Sequence, residues 1–187
     1  MKKILMIFAI LGLSAVAQAQ IVFSPGVTYQ SYDQTESQVG NTDSQVDGYI
    51  LDLRFGYLMP MGLYLGGMYS MASGLGAVGG NGDDTKGFSV GPTVGYYSMM
   101  GFYSLLTYHI MGETEKTIYS QTSTFTGAKG PQVDIGWVFP LSSFFSIGPQ
   151  ITWKSIEFSK IEGGGSEADT NYKQTSIQPY ISLWFMF

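Results

Sequence analysis

The stretch that most restricts what this chain can fold into is its last one, Ile177 to Phe187. Its odd positions are Ile177, Pro179, Ile181, Leu183, Phe185 and Phe187, and its even positions are Gln178, Tyr180, Ser182, Trp184 and Met186. One uniformly apolar face at every second residue is the period of a β-strand. The stretch is also about as long as the roughly 9–11 residues a tilted strand needs to cross hydrocarbon. Alternation alone suits the core of a soluble sandwich equally well, so the rest of the chain has to decide.

The N-terminus supplies an address. Met1, Lys2 and Lys3 precede an apolar run from Ile4 to Val16, followed by Ala17-Gln18-Ala19. A basic start, a short apolar stretch and a small-residue site predict a signal peptide over residues 1–19, leaving a mature domain of residues 20–187. The formal net charge is −5 at pH 7, so there is no basic footprint for nucleic acid. There is no cysteine, which excludes disulfides and thiol chemistry. No residue cluster calls for a cofactor or a metal. Charged residues are only 12% while aromatics reach 15%, and no later segment is a long apolar helix. That combination favours a membrane β-barrel over a soluble domain.

Period-two alternation predicts eight strands, over 21–32, 46–58, 63–71, 87–97, 102–111, 131–139, 144–158 and 177–187. The second is the most telling, because Tyr49, Leu51, Leu53, Phe55 and Tyr57 alternate with Ile50, Asp52 and Arg54. An Asp and an Arg set against five large apolar groups imply two very different environments across one strand. The connections alternate too. Tight turns at 59–62, 98–101 and 140–143 are separated by long polar segments at 33–45, 72–86, 112–130 and 159–174, which read as loops. Short turns at one end and long loops at the other are the pattern of a transmembrane barrel. Outward aromatics fall in two rows, Tyr29, Tyr49, Tyr69, Phe88, Tyr108 and Trp153 near the loops, and Tyr57, Tyr96, Phe102, Phe139, Phe145 and Phe187 near the turns. Such rows match the girdles at two water interfaces. Pro92, Pro131, Pro149 and Pro179 lie within the strands, where a missing N–H is awkward, and are expected outward and at bulges.

With Phe187 last and Phe185 and Leu183 behind it, the chain end resembles the assembly signal of Gram-negative outer-membrane proteins. The mature chain resembles the small eight-stranded family typified by the transmembrane domain of outer membrane protein A and by outer membrane proteins X and W. The resemblance implies an all-β, eight-stranded antiparallel up-and-down transmembrane barrel in the cell outer membrane, with both mature termini periplasmic. It also implies assembly by the barrel-assembly machinery. Closure has its own physical reason, since an open sheet edge in hydrocarbon leaves backbone N–H and C=O groups unpaired.

An eight-stranded interior is just wide enough for side chains to fill. The inward residues include Asp52, Arg54, Asp134 and Lys154, whose charges cancel, together with Gln132, Gln150, Tyr64, Tyr103, Tyr180 and, near the outer rim, His109. Arg54, the single arginine, suits bidentate pairing with carboxylates. The four charged residues are expected to form a paired polar network that seals the lumen. A narrow channel for small or apolar solutes is the alternative. Some barrels of this size modify lipid A with a His, but the His-x-Ser spacing of the deacylases is missing around His109, and a hydrolase also needs a nucleophile and an oxyanion site. The expected role is therefore non-enzymatic, in contact with outer-membrane lipid, through structure or surface loops. Small wall residues such as Gly67 and Ser104 leave a homo-oligomer open.

Overall fold

The computed structural model describes residues 19–36, 42–78, 81–118, 121–163 and 166–187. The expected signal peptide thus lies outside the described residues except for Ala19. The strands are β1 (Gln20–Glu36), β2 (Thr42–Leu58), β3 (Leu63–Val78), β4 (Asn81–Tyr97), β5 (Phe102–His109), β6 (Met111–Ile118), β7 (Gln121–Thr126), β8 (Gly130–Trp137), β9 (Phe139–Pro140), β10 (Phe145–Gly163) and β11 (Ser166–Met186). All pairings are antiparallel, and the order β1-β2-β3-β4-β5-β8-β10-β11 returns to β1 as a ring of eight staves. β6 prolongs the stave of β5 and β7 that of β8, so that further up β4 pairs with β6 and β7 with β10. The ring closes where Ile21 N donates to Phe187 O at 3.0 Å and Phe187 N to Ile21 O at 2.9 Å. Closure leaves no sheet edge at that end.

The two ends of the barrel differ. At one, tight turns occupy the residues after β2, β4 and β9, and two of them need glycine. Gly62 has φ 86° and Gly101 has φ 84°. A Cβ on Gly62 would also stand 2.4 Å from the Tyr97 carbonyl oxygen. At the other end the structure departs from the sequence reading. The segments expected as loops are mostly ladder: β1 and β2 pair out to Glu36 and Thr42, β3 and β4 to Val78 and Asn81, β6 and β7 to Ile118 and Gln121, and β10 and β11 to Gly163 and Ser166. Ladder hydrogen bonds use backbone alone, so a ribbon continues without any apolar period to announce it. β1, β2 and β4 each run 17 residues, against the roughly 9–11 that hydrocarbon requires. The staves therefore project well beyond an apolar slab at the ribbon end.

Pro25, Pro92, Pro131, Pro149 and Pro179, inside the staves, each sit where one ladder is interrupted. Pro25 falls in the gap between Phe23↔Phe185 and Gly26↔Ser182, and Pro179 lies just past Val27↔Ile181, where β1 and β11 stop pairing. Pro149 fills the gap between Ile147↔Phe139 and Gln150↔Gly136. Pro131 separates Gln132↔Lys154 from the single bridge Lys129↔Glu157. At Pro92 the partner register moves by one residue, from Thr93↔Thr107 to Val90↔Met111, which is also where Ile110 divides β5 from β6. A residue in an antiparallel sheet bonds with only one of its two neighbours, so each proline breaks one ladder and keeps the other. The expected bulge is thus present at Pro92, and the other prolines are accommodated as gaps.

The molecule is apolar outside and polar inside. Ile21, Val27, Phe55, Leu65, Val94, Leu106, Ile135, Ile151 and Ile181 are exposed, while Asp52, Arg54, His109, Gln132, Asp134 and Ser182 are 0% exposed. Water-soluble monomers rarely show so wide an apolar surface. The aromatic rows frame this band: Tyr29 pairs with Tyr49, and Tyr69 stacks on Phe88 at 5.9 Å, at one level. Phe23 and Phe145 lie 6.1 and 4.9 Å from Phe185 at the other. Tyr49 and Tyr57 are eight residues apart on β2, about 20 Å along the axis for a rise of ~3.4 Å and a tilt of ~40°. The tryptophans test the arrangement. Trp137 and Trp153 are 45% and 38% exposed and Trp184 is 0%. In vesicles of brominated lipid, fluorescence from Trp137 and Trp153 is expected to be quenched, and that of a Trp137→Phe, Trp153→Phe double variant to resist quenching. Strong quenching of the double variant would place the inner face in lipid.

Candidate functional site

The lumen is filled in layers. Nearest the turns, Trp184 from β11 reaches across to Tyr64, Tyr97 and Tyr103 with ring centroids 5.9, 4.9 and 4.9 Å away. Val22, Leu58, Leu105 and Val138 complete this buried floor. Glycine makes the room: a Cβ on Gly136 would stand 2.4 Å from Tyr103 Cζ, so the ring lies where a larger neighbour would be. Such small and large alternation is how narrow barrels fill their taper.

Above the floor lies a polar layer. Asp52 and Arg54 are two apart on β2 and share its inner face, while Asp134 comes from β8, four staves around the ring. Arg54 Nη2 donates to Asp134 Oδ2 at 2.8 Å and lies 3.6 Å from Asp52 Oδ2. Gln132 Nε2 donates to Asp52 Oδ2 at 2.9 Å and to Asp134 Oδ1 at 3.0 Å. Asp134 Oδ1 also accepts from Thr152 Oγ1 at 2.8 Å and from Gln150 Nε2 at 3.2 Å. Tyr103 Oη donates to Gln150 Oε1 at 2.9 Å, tying this layer to the floor. Diametrically opposed walls are therefore held by an ion pair whose Asp134 carboxylate is otherwise solvated by side chains, while Arg54 Nε and Nη1 have no side-chain partner.

Lys154 does not join that pairing. It sits one inward step above Thr152 on β10, roughly 7 Å further along the stave, and among the described residues it forms no ion pair. Its Nζ donates instead to Ser70 Oγ at 2.9 Å and Ser89 Oγ at 3.5 Å on the far wall. The expected network of Asp52, Arg54, Asp134 and Lys154 is thus a network of three, with Lys154 standing apart at the bottom of a cavity.

Among solved structures, Neisserial surface protein A is similar to this chain with a TM-score of 0.57, at 12% identity, over 90% of this chain and 97% of that one. The chain has the fold of an eight-stranded outer-membrane β-barrel. The β domain of the Bordetella autotransporter BrkA matches with a TM-score of 0.37, 11% identity and coverage of 91% and 99%. The translocator domain of the autotransporter NalP from Neisseria meningitidis matches with a TM-score of 0.42, 10% identity and coverage of 94% and 68%. No protein-family model and no curated protein sequence matches the chain.

Within this outer-membrane barrel fold, His109 is fully buried rather than near a rim, because its stave continues through β6 to Ile118. Its Nε2–H donates to Gln132 Oε1 at 3.1 Å, and its Nδ1 has no side-chain partner. Neither nitrogen is hydrogen-bonded to a hydroxyl or a carboxylate, so the nucleophile and orienting acid of a hydrolase are not assembled on it. Leu183 and Phe185 lie on the outer face of β11, and Phe187, the residue after its end, is 70% exposed. The sequence reading missed Trp184 as the centre of the floor, although its even position already put it inward. Aromatic character at an inward site near the turns was the available signal.

Proposed function

We propose that this chain is a non-enzymatic protein of the cell outer membrane, a barrel closed to solutes that presents its β-ribbons outside the cell. The observation that carries the reading is the stack of two filled layers, Trp184 among buried Tyr64 and Tyr103 and half-buried Tyr97 below, and Arg54 bridging Asp134 and Asp52 above. Short turns and both mature termini share one end, which is the periplasmic end in this reading, and the projecting ribbons are extracellular. The outer face of β11, ending in Leu183 and Phe185 and followed by Phe187, is where the barrel-assembly machinery would engage the chain. The buried setting of His109 gives lipid A chemistry no support.

Conductance tests the closed lumen. The refolded mature chain, residues 20–187, is expected to show no single-channel steps in a planar lipid bilayer. Steady conductance from the unmodified protein would overturn the reading in favour of a narrow solute channel.

A further inference from the structure

Above the polar layer the barrel holds a chamber that closes below and opens between the ribbons. A cavity of about 60 Å³ forms its lower half, and a wider cavity of about 490 Å³ forms its upper half. The two share Ile50, Ala72, Thr114, Gln174, Ser176 and Gln178 in their walls, so they are continuous. Lys154 stands on the floor of the lower half, with Ile50, Ala72, Ile156 and Phe158 beside it. Lys116 lines the upper half, its Nζ donating to Tyr172 Oη at 2.8 Å and lying 4.7 Å from that ring's centroid. Neither lysine has an ion-pair partner among the described residues. No described Asp or Glu lines either half, in a chain whose net charge is −5.

A cation inside a protein is normally matched by an anion, because the desolvation it suffers is costly. Here the nearest carboxylates, Asp52 and Asp134, are turned toward Arg54 and Gln132 one step below and lie beyond ion-pair distance of Lys154, although Asp52 Oδ1 has no side-chain partner. We infer that the chamber binds a small organic monocarboxylate with an apolar tail. The carboxylate meets Lys154 on the chamber floor, and the Ser70 and Ser89 hydroxyls, which can donate as well as accept, complete its hydrogen bonds. The tail lies along Ile50, Ala72, Ile156 and Phe158 and rises toward Tyr172. A heavily hydrated inorganic anion would have to surrender its water to that apolar wall, which favours an organic acid over phosphate. The chamber ends at the polar layer, so it holds its ligand and offers no way through.

Octanoate and its uncharged counterpart octanol are the probes, measured by equilibrium dialysis against the mature chain in nanodiscs of zwitterionic lipid, with empty nanodiscs subtracted. Octanoate is expected to bind saturably with one site per chain. Octanol should bind at least about tenfold more weakly, the worth of a charge-assisted contact. Lys154→Met should lose octanoate by a similar factor while retaining the heat-modifiable mobility of a folded barrel. Equal retention of octanoate and octanol by the unmodified chain, or undiminished octanoate binding by folded Lys154→Met, or no saturable binding at all, would each overturn the inference. It stands apart from the closed-lumen reading, whose failure shows as conductance and not as a change in Lys154-dependent binding.

Discussion

Arg54→Ala is expected to lower the unfolding free energy of the lipid-embedded barrel by about 3–5 kcal/mol, the usual cost of removing one member of a buried ion pair. Arg54 Nη2 is the contact to both Asp134, at 2.8 Å, and Asp52, at 3.6 Å. Without it two buried carboxylates share the amide of Gln132, with the nearest remaining lumenal cation, Lys154, turned toward Ser70 and Ser89. Arg54→Lys should fall between the two, since an ammonium keeps the charge but gives up the planar fork. Urea titration in vesicles, monitored by loss of β-sheet circular dichroism, makes the measurement. A change under about 1 kcal/mol, the range of a surface pair, would mean that the cross-lumen bridge is not formed in the membrane. Conductance is a separate matter. A polar network that alone sealed the lumen would leak without Arg54, but the aromatic floor below remains intact in this variant, so stability should fall without channel activity.

How far the sequence could be read follows from what each solvent writes into it. Between the aromatic rows one face of every stave meets an apolar surrounding and the other a polar lumen, so Tyr49, Leu51, Leu53, Phe55 and Tyr57 alternate against Asp52 and Arg54, and the eight staves were legible. Beyond the rows the outer face of a ribbon leaves the apolar surrounding, and the contrast that wrote the alternation is lost. Residues 42–45 or 112–117 then carry no period, although their backbones pair as regularly as any. Inward direction was legible for Tyr64, Tyr103, Gln132, Gln150 and His109, because it depends only on parity. Depth was not: it depends on stave length and shear, which is why His109 was placed too near the rim and Lys154 within a network that lies one inward step below it. The prolines had no explanation until each could be matched to the one ladder it breaks. That required knowing both neighbours of every stave.

Trp184→Ala is the complementary case, and its effect on stability is expected to be as large, about 3–5 kcal/mol for emptying a buried Trp site. Its ring contacts Tyr64, Tyr97 and Tyr103 from three different staves, and it donates its indole N–H to Ser182 Oγ at 3.1 Å. The floor cannot collapse around the loss, because the staves that carry these tyrosines are fixed by ladder hydrogen bonds on both sides. A rigid wall leaves the cavity in place, which is the condition for the upper end of the cost. Trp184→Ala alone should nevertheless stay silent in a planar bilayer, since Arg54, Asp134, Gln132 and Gln150 still fill the level above. The double variant Trp184→Ala, Arg54→Ala removes both obstacles and is expected to conduct. The combination also separates packing from gating: two layers acting as independent seals predict conductance only in the double variant, whereas steps in either single variant would show that one layer alone had been keeping the lumen shut.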